Sequence, residues 1–419
     1  MNKRIKPALI IILVIAVIAA SFSVFKIHEK RINGGSESRA DTVSESRESG
    51  SVNGTDGSPE GGGPQDGSTA DSEDKEPLAT VFFASDYQAE DGFDEPSVTL
   101  SGILNAAKED GKSIDEVVMC GDYSNDRKLH DYQISPDDTI EEIRETVNSV
   151  YPDIDDEDMM IVQGNHDRMT PQITETGLHE EDGYLVYILN TEEDFPWKQG
   201  KTSGCLAKVR KSSAEMKECF DELIRKGEKR PVIIAGHVPL QFTARTSSRH
   251  TTGDNLYSSL IFDVVNDAAK SLDIVYLFGH DHSKGWDCYI GGSSVYRAKG
   301  DSLLVPKFRE TDVNTDDYDE RTLNFTYLNA GYTGYYMNCG PEELDAGEKE
   351  LYSAADETLT GTVFEIYRDR IVITRYDTEG VHELGHAGEA DPYKGGIDTG
   401  LIPEESYSKS TESPQEVTF

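Results

Sequence analysis

Apolar segments that stop abruptly at Asp, Asn or His recur along the chain, and this pattern limits the folds available to it. The segment VYLFGHDHSKG, at positions 275–285, ends its apolar run at His280 and His282. Residues two apart on an extended strand point to the same side, so this strand end presents two imidazoles together. Because the chain has only ten histidines in 419 residues, the pair indicates a ligand site if other strand ends supply matching groups.

Other apolar segments end in the same way. Asp86 follows ATVFFAS, Asp122 follows DEVVMCG, Asn165 follows DMMIVQG and His237 follows PVIIAG. Segments with helical periodicity separate these strands, and one further helix is predicted to begin at a cap formed by Ser212 with Glu215. Strands that alternate with helices predict an α/β fold, and sites in such folds form at the carboxyl ends of the strands.

The residue types at these strand ends indicate a metal site. Carboxylate, amide and imidazole groups without thiolates suit Mn, Fe, Zn or Mg. Six such groups are more than one tetrahedral ion needs, and they suit two ions that share a bridging carboxylate. The five cysteines show no CxxC spacing, and Cys120 lies in an apolar run that is typical of a core residue.

Five short motifs carry a family resemblance. The segments SDYQ, GDYSND, GNHD, GHVP and GHDH occur in this order, each after an apolar strand. They resemble the DxH, GD, GNH(D/E), GH and GHxH motifs of the calcineurin-like metallophosphoesterase superfamily, over roughly Leu78 to Tyr376. The resemblance implies a four-layer α-β-β-α sandwich, in which two facing sheets are flanked by helices.

The resemblance also implies a role for each strand-end residue. The first metal would be held by Asp86 and His282, the second by Asn165, His237 and His280, and both by Asp122. Gln88 stands where the family usually has a histidine. An amide is a weaker ligand than an imidazole, so either Gln88 binds the first ion or a water completes that site. Tightly held Fe(III) becomes less favoured, and Mn, Mg or Zn more so.

The reaction implied is hydrolysis of a phosphate mono- or diester at this dinuclear site. A hydroxide that bridges the two ions would attack phosphorus, and His166 resembles the family's proton donor to the leaving group. Asp126 or Asp167 would orient His166. Arg127 stands near the position of a phosphate-contacting arginine, but one extra residue in GDYSNDR leaves a surface loop position as an equal alternative.

Three other functions have some support in the sequence. A catalytically weak metal-binding or interaction module is possible if Gln88 leaves the first site empty. A nuclease of the same superfamily is disfavoured because the net charge of −39 repels nucleic acids. The segment HELGH, at positions 382–386, matches a zinc-protease motif, but Gly385 and the polar surroundings do not favour the helix that this motif needs.

The regions flanking the predicted phosphoesterase domain differ from it in composition. Positions 1–31 contain an uncharged run from Pro7 to Phe25, which predicts an uncleaved signal anchor, or alternatively a cleaved signal peptide and a secreted protein. Positions 32–77 are rich in Gly, Ser and acidic residues and predict a disordered linker. We expect a phosphoesterase domain at 78–380, outside the cell membrane, with a small phosphate ester as substrate, and a polar tail at 381–419.

Overall fold

A computed structural model describes residues 76–89, 95–124, 136–190, 202–240, 257–280, 296–308, 318–334, 360–377, 408–409 and 415–419. The helices are α1 (Glu95–Glu109), α2 (Pro136–Val150), α3 (Thr202–Lys226) and α4 (Ser258–Ala268). The strands are β1 (Ala79–Ala84), β2 (Glu116–Met119), β3 (Met159–Ile161), β4 (Gly177–Glu180), β5 (Leu185–Leu189), β6 (Val232–Gly236), β7 (Ile274–Phe278), β8 (Tyr296–Arg297), β9 (Ser302–Pro306), β10 (Tyr318–Thr322), β11 (Thr326–Asn329), β12 (Gly331–Tyr332), β13 (Thr360–Ile366), β14 (Arg370–Asp377), β15 (Ser408–Lys409) and β16 (Gln415–Thr418).

The first sheet is mixed and has the strand order β15-β14-β13-β1-β2-β3, with β12 paired to β13 and β16 paired to β14. Strands β1, β2 and β3 are parallel, whereas β13 is antiparallel to β1. Strands β15 and β16, within the predicted C-terminal tail, pair with β14. Because β1, β2 and β3 are parallel neighbours, their carboxyl ends lie side by side, and each leads directly into one of the five motifs.

The second sheet has the order β4-β5-β6-β7-β11-β8. Strands β5, β6, β7 and β11 are parallel, and the edge strands β4 and β8 are antiparallel to their neighbours. Strands β9 and β10 form a separate hairpin. The GHVP and GHDH motifs follow β6 and β7, so they too begin at neighbouring carboxyl ends.

Three apolar clusters pack the two sheets against each other and against the helices. Along β1, Phe82 packs in a cluster with residues of α1 and α2, whereas Val81 and Phe83 pack in a cluster shared with the second sheet. This alternation is the period of two that a strand imposes. A third cluster joins the far face of the second sheet to α3 and α4. The predicted α/β fold is confirmed, with helices on the outer face of each of two mixed sheets.

Helix α3 corrects one prediction. It begins at Thr202, so the helix start predicted at Ser212 is wrong. The Ser212 hydroxyl donates to the Lys208 carbonyl at 3.2 Å, the local bond of a serine inside a helix. Leu206 and Val209 precede Ser212 and are buried in the core. The apolar face therefore continues through Ser212, and its packing outweighs the capping preference of that residue.

The N-terminal predictions fall almost entirely outside the described residues. The membrane segment predicted at 1–31 and nearly all of the linker predicted at 32–77 are not among them. Within the part of the chain that the structure describes, no helix has both the length and the apolar character to cross a membrane.

Candidate metal centre

Five predicted ligand residues are buried where β1, β2, β3, β6 and β7 end. Their relative exposures are at most 5%, and they are Asp86, Asp122, Asn165, His237 and His280. Ionisable side chains are seldom buried to this degree unless they are paired or bind a metal. Parallel strands thus bring together groups that are up to about 200 positions apart in the chain.

Four of these side chains converge on one point. Asn165 Oδ1 lies 3.0 Å from His237 Nε2 and 2.6 Å from His280 Nδ1. Asp122 Oδ2 lies 3.2 Å from His237 Nε2. Ligand atoms of Asp122, His237 and His280 all lie within 4.8 Å of one another. This spacing is close enough for one cation to contact them together.

The hydrogen bonding of His237 favours a cation at the place where these four side chains converge. Its Nδ1 lies 2.8 Å from the Cys120 carbonyl oxygen, which can only accept, so Nδ1 carries the hydrogen. In the neutral ring Nε2 then has a free lone pair. That lone pair faces the oxygens of Asp122 and Asn165. Acceptors that face one another repel unless a proton or a metal ion lies between them, so the donor set fits a divalent cation.

The local electrostatics act in the same direction. Burial by itself would lower the pKa of His237, but the Asp122 and Asp86 carboxylates outweigh it and raise this pKa to about 9. Burial would likewise raise the pKa of Asp122, but His237 and His166 hold it well below the ordinary value. The site therefore stabilises positive charge among its ligands and keeps Asp122 ionised.

The backbone is strained at the predicted ligands. Among the described residues, the non-glycine positions with positive φ are Asp86 (54°), Gln88 (48°), Asp122 (60°) and His280 (66°). Such backbone angles are uncommon outside glycine and cost about 1 kcal/mol or more each. Their concentration at four predicted ligands shows that the surrounding packing holds these turns in place.

Two glycines allow the β2 and β3 turns to touch. A Cβ on Gly121, whose φ is +93°, would lie 2.6 Å from Gly164 Cα and 2.8 Å from His237 Nδ1. A Cβ on Gly164 would collide with the backbone and carboxylate of Asp122. Glycine is therefore needed at both positions for Asp122 and Asn165 to approach each other.

Asp86 and Gln88 lie on a turn that runs beside the Asp122 turn. Gln88 donates its backbone N–H to the Asp122 carbonyl at 2.9 Å, and Asp86 donates to the Gly121 carbonyl at 2.8 Å. Asp86 Oδ2 accepts the backbone N–H of His280 at 2.8 Å. The turn is thus fixed to both neighbouring motifs, and it brings a second buried carboxylate next to the cluster.

His166 lies at the outer side of the cluster. Its side chain is 27% exposed, and its Nε2 is 3.9 Å from Asp122 Oδ2. Its backbone N–H donates to Asp122 Oδ1 at 2.8 Å. Burial lowers the pKa of His166, and the nearby Asp122 opposes this effect. The imidazole is therefore next to the ligands and also reaches solvent, as a group that acts on a substrate must.

Asp167 organises the backbone, which revises its predicted role beside His166. Its Oδ2 accepts the backbone N–H groups of Asp122 at 2.8 Å and Gly164 at 2.7 Å, and its Oδ1 accepts that of Tyr123 at 2.8 Å. Both carboxylate oxygens thus bond to the turns that carry the predicted ligands.

Several predicted residues lie outside the described part of the chain. These are Asp126, Arg127, His282 and the HELGH segment at 382–386. Sequence reasoning in turn missed the hydrogen bonds that Asp167 and the Tyr123 hydroxyl make to the backbone near the predicted ligands. The only signal in the sequence was that each directly follows a predicted functional residue, and a buried tyrosine reads as ordinary core packing.

Residues 79–284 match the family model described as calcineurin-like phosphoesterase. This segment begins with β1 and extends past β7, so it includes every strand end that contributes to the candidate metal centre. These residues therefore match the calcineurin-like metallophosphoesterase superfamily, and the resemblance indicated by the five motifs is confirmed.

Solved structures with low sequence identity are also similar to the chain. The purple acid phosphatase PPD1 from yellow lupin (Lupinus luteus) seeds is 12% identical with a TM-score of 0.41, over 72% of this chain and 52% of that one. PhoD is 10% identical with a TM-score of 0.44, over 82% and 70%. Vps29 from Chaetomium thermophilum is 9% identical with a TM-score of 0.30, over 81% and 98%. The chain thus spans about half the length (52%) of the lupin phosphatase. No curated protein sequence matches the chain.

Proposed function

We propose that the chain is a metal-dependent phosphoesterase that hydrolyses a phosphate mono- or diester. The observation that carries the proposal is the convergence of buried acceptor atoms from Asp122, Asn165, His237 and His280. In a member of this superfamily, such a donor set supports a catalytic metal centre. Oxygen and imidazole ligands favour Mn, Zn, Mg or Fe.

The proposed centre would hold two divalent ions. Asn165, His237 and His280 would hold one ion, Asp86 and His282 the other with or without Gln88, and Asp122 would bridge them. The bond between Asp86 Oδ2 and the His280 backbone supports this arrangement because it places a second carboxylate beside the cluster. Bound there, the two ions would activate a water for attack on phosphorus and neutralise charge on the phosphate oxygens.

The chain's own groups would complete the reaction around this centre. His166 would donate a proton to the leaving oxygen, since its ring lies beside Asp122 and remains partly exposed. Asp126 would orient the His166 ring, and Arg127 would contact the phosphate. Asp122 stays ionised in this scheme because the neighbouring imidazoles keep its pKa low.

The test is hydrolysis by the full chain with the metal varied. We expect turnover of p-nitrophenyl phosphate or of bis(p-nitrophenyl) phosphate with Mn, Zn, Mg or Fe, and loss of turnover with a chelator. The preferred ester would separate a monoesterase from a diesterase. A chain that binds the metals but hydrolyses neither ester would instead be a metal-binding or interaction module. Cleavage of plasmid DNA or of RNA would favour a nuclease, which the net charge of −39 opposes.

We further propose that the catalytic domain lies outside the cell membrane, anchored by the apolar run from Pro7 to Phe25 through the acidic linker at 32–77. The length of that run supports a single membrane-spanning helix, and cleavage after it would release the protein instead. Protease added to intact cells should free a folded fragment that begins near Leu78. Activity that stays protected until the cells are lysed would contradict this orientation.

A further inference from the structure

The hydroxyl of Tyr123, the residue after Asp122, lies among three backbone groups. It is 2.8 Å from the Met119 carbonyl oxygen and 2.5 Å from the Val162 carbonyl oxygen, to which it can donate. It accepts the backbone N–H of Gly121 at 3.3 Å. The side chain is fully buried, so water does not replace these partners.

These three backbone groups lie where two ligand-bearing strands stop pairing. Met119 is the last residue of β2 and pairs with Ile161, the last residue of β3. The backbone N–H of Val162 then donates to the Met119 carbonyl at 2.9 Å. The hydroxyl of Tyr123 adds a further link between the same two chain segments, at the point where the strand ladder ends.

The two predicted ligands follow within a few residues of this link. Beyond it the chains meet at Gly121 and Gly164, which are in direct backbone contact. Asp122 and Asn165 come next, and Asp122 has the strained φ of 60°. A turn held in a strained conformation keeps its geometry only if its surroundings hold it. The hydroxyl of Tyr123 is a fixed group at the base of both turns.

We propose that the Tyr123 hydroxyl is a positioning group that sets the spacing between Asp122 and Asn165. This proposal rests on the proposed metal centre and assigns Tyr123 no contact with the ions or the substrate. Removal of the hydroxyl would let the ends of β2 and β3 shift, and the two oxygens would no longer converge to within the few tenths of an ångström that a metal site requires.

Tyr123→Phe tests the proposal, and Tyr151→Phe is the matched control. The Tyr151 hydroxyl lies 3.4 Å from the Leu104 carbonyl oxygen and 3.2 Å from that of Lys112. Both tyrosines belong to the same apolar cluster, but Tyr151 bonds to no residue of the metal turns in these contacts. Each change therefore removes a buried hydroxyl that lies near two carbonyls. The Tyr123 hydroxyl lies next to the turns that carry the predicted ligands, whereas the Tyr151 hydroxyl does not.

The readout is Mn²⁺ binding to the full chain, by titration calorimetry and by the electron paramagnetic resonance spectrum of the bound ion. We expect Tyr123→Phe to weaken Mn²⁺ binding about 10- to 100-fold and to change the spectrum. Tyr151→Phe should keep the wild-type affinity and spectrum. Wild-type binding by Tyr123→Phe would overturn the proposal, and so would an equal loss in the two variants.

Folding is checked by circular dichroism at 4 °C in metal-free buffer. A Tyr123→Phe chain that does not fold under these conditions also overturns the proposal, because the hydroxyl would then support the fold as a whole. The proposed function is tested separately, since Mn²⁺ binding is measured without substrate. A wild-type chain that binds Mn²⁺ but hydrolyses no ester would contradict the phosphoesterase assignment and leave the role of Tyr123 intact.

Discussion

The two carboxylate oxygens of Asp122 face different partners: Oδ1 accepts the backbone N–H of His166 at 2.8 Å, and Oδ2 lies 3.2 Å from His237 Nε2. One side chain thus fixes the turn after β3 and also contributes to the ligand cluster. Both tasks need an oxygen that accepts, so an amide of the same shape cannot perform both.

We expect Asp122→Asn to lose bound metal and activity. The amide nitrogen would face either the His166 N–H, donor against donor, or the cation, and neither contact is favourable. The change also removes one negative charge from the centre. Because loss of a supporting group alone costs about 10- to 100-fold in metal affinity, we expect a larger loss here. Metal content by mass spectrometry and kcat on p-nitrophenyl phosphate would measure it.

Asp115→Asn is the control for this change. Asp115 precedes β2, whereas Asp122 follows it, and Asp115 Oδ2 accepts the Thr80 backbone N–H at 2.7 Å. An Asn side-chain oxygen can still accept this bond, so metal content should stay at the wild-type level. If Asp122→Asn also retained two ions and near-normal turnover, the bridging role would be wrong.

Gly164→Ala should disrupt the metal centre through steric overlap. The added Cβ would collide with Asp122, whose Cα would lie 2.9 Å away. Overpacking of this kind typically costs about 1–3 kcal/mol in stability, and here the strain acts directly on a ligand. We expect both a lower melting temperature and weaker Mn²⁺ binding, measured by calorimetry.

Gly227→Ala is the control for Gly164→Ala, because it adds backbone strain without a steric collision. Gly227 has a φ of +71°, and a Cβ there would meet nothing within 4 Å. This variant should lose about 1 kcal/mol of stability from the left-handed backbone and bind Mn²⁺ normally. Wild-type metal binding by Gly164→Ala would show that the turns after β2 and β3 can move apart without cost.

The sequence predicted which residues meet at the candidate metal centre because strand ends are marked locally. An apolar run followed by Gly and Asp, Asn or His marks both the end of a buried strand and a candidate ligand, as at Asp122 and His237. The carboxyl ends of parallel strands then meet without further information. Separation along the chain does not matter to this convergence, so strand ends from both sheets meet at one place.

Other features depend on contacts that no local pattern records. The start of α3 was misplaced at Ser212 because packing of Leu206 against the second sheet decides it. Asp167 reads as a possible partner of His166, yet its oxygens accept backbone N–H groups from a turn more than 40 positions earlier. The pairing of β15 and β16 with β14 likewise joins segments whose sequences carry weak strand patterns.

His166→Ala should separate proton donation from metal binding. The ring lies beside Asp122 and is partly exposed, so its loss should leave the metal content unchanged. A proton donor contributes about 10²- to 10⁴-fold when the leaving group is poor. We therefore expect a loss of this size in kcat on an alkyl phosphate and a smaller loss on p-nitrophenyl phosphate, because nitrophenolate leaves without a proton.

His179→Ala is the matched histidine control. His179 lies on β4, and its Nε2 is 2.9 Å from the Glu175 carbonyl oxygen. Its removal should leave kcat unchanged on both substrates. An equal loss on the two substrates in His166→Ala would indicate that His166 acts on the phosphate or the nucleophile, and loss of metal would make it a ligand.

The raised pKa of Glu116 predicts a pH dependence of stability that does not involve the metal centre. It begins β2, and its carboxylate accepts a hydrogen bond from the Tyr184 hydroxyl. Burial raises its pKa from 4.5 to about 7; the Tyr184 bond opposes this shift, and the charges of Glu181 and Asp158 add to it. The folded chain therefore keeps this proton at pH values where the unfolded chain has lost it.

The sign of the effect follows from the two pKa values. Below pH 4.5 Glu116 is protonated in both states, so it favours neither. As the pH rises from 4.5 to about 7, the unfolded state releases the proton first, and the wild type loses stability; above pH 7 the loss stays constant. Glu116→Gln mimics the protonated side chain. Its melting temperature relative to the wild type should therefore rise by a few degrees between pH 5 and pH 8.

Glu228→Gln is a control, because the pKa of Glu228 is lowered in the folded chain whereas that of Glu116 is raised. The Arg230 guanidinium lowers the pKa of Glu228 to about 2, so this side chain is ionised in both folded and unfolded chains between pH 5 and pH 8. Its substitution should shift the melting temperature by the same amount at each pH in that range. All melts would contain a chelator, so that metal release does not contribute. A Glu116→Gln difference that is the same at pH 5 and pH 8 would show that Glu116 is ionised in the folded chain throughout this range.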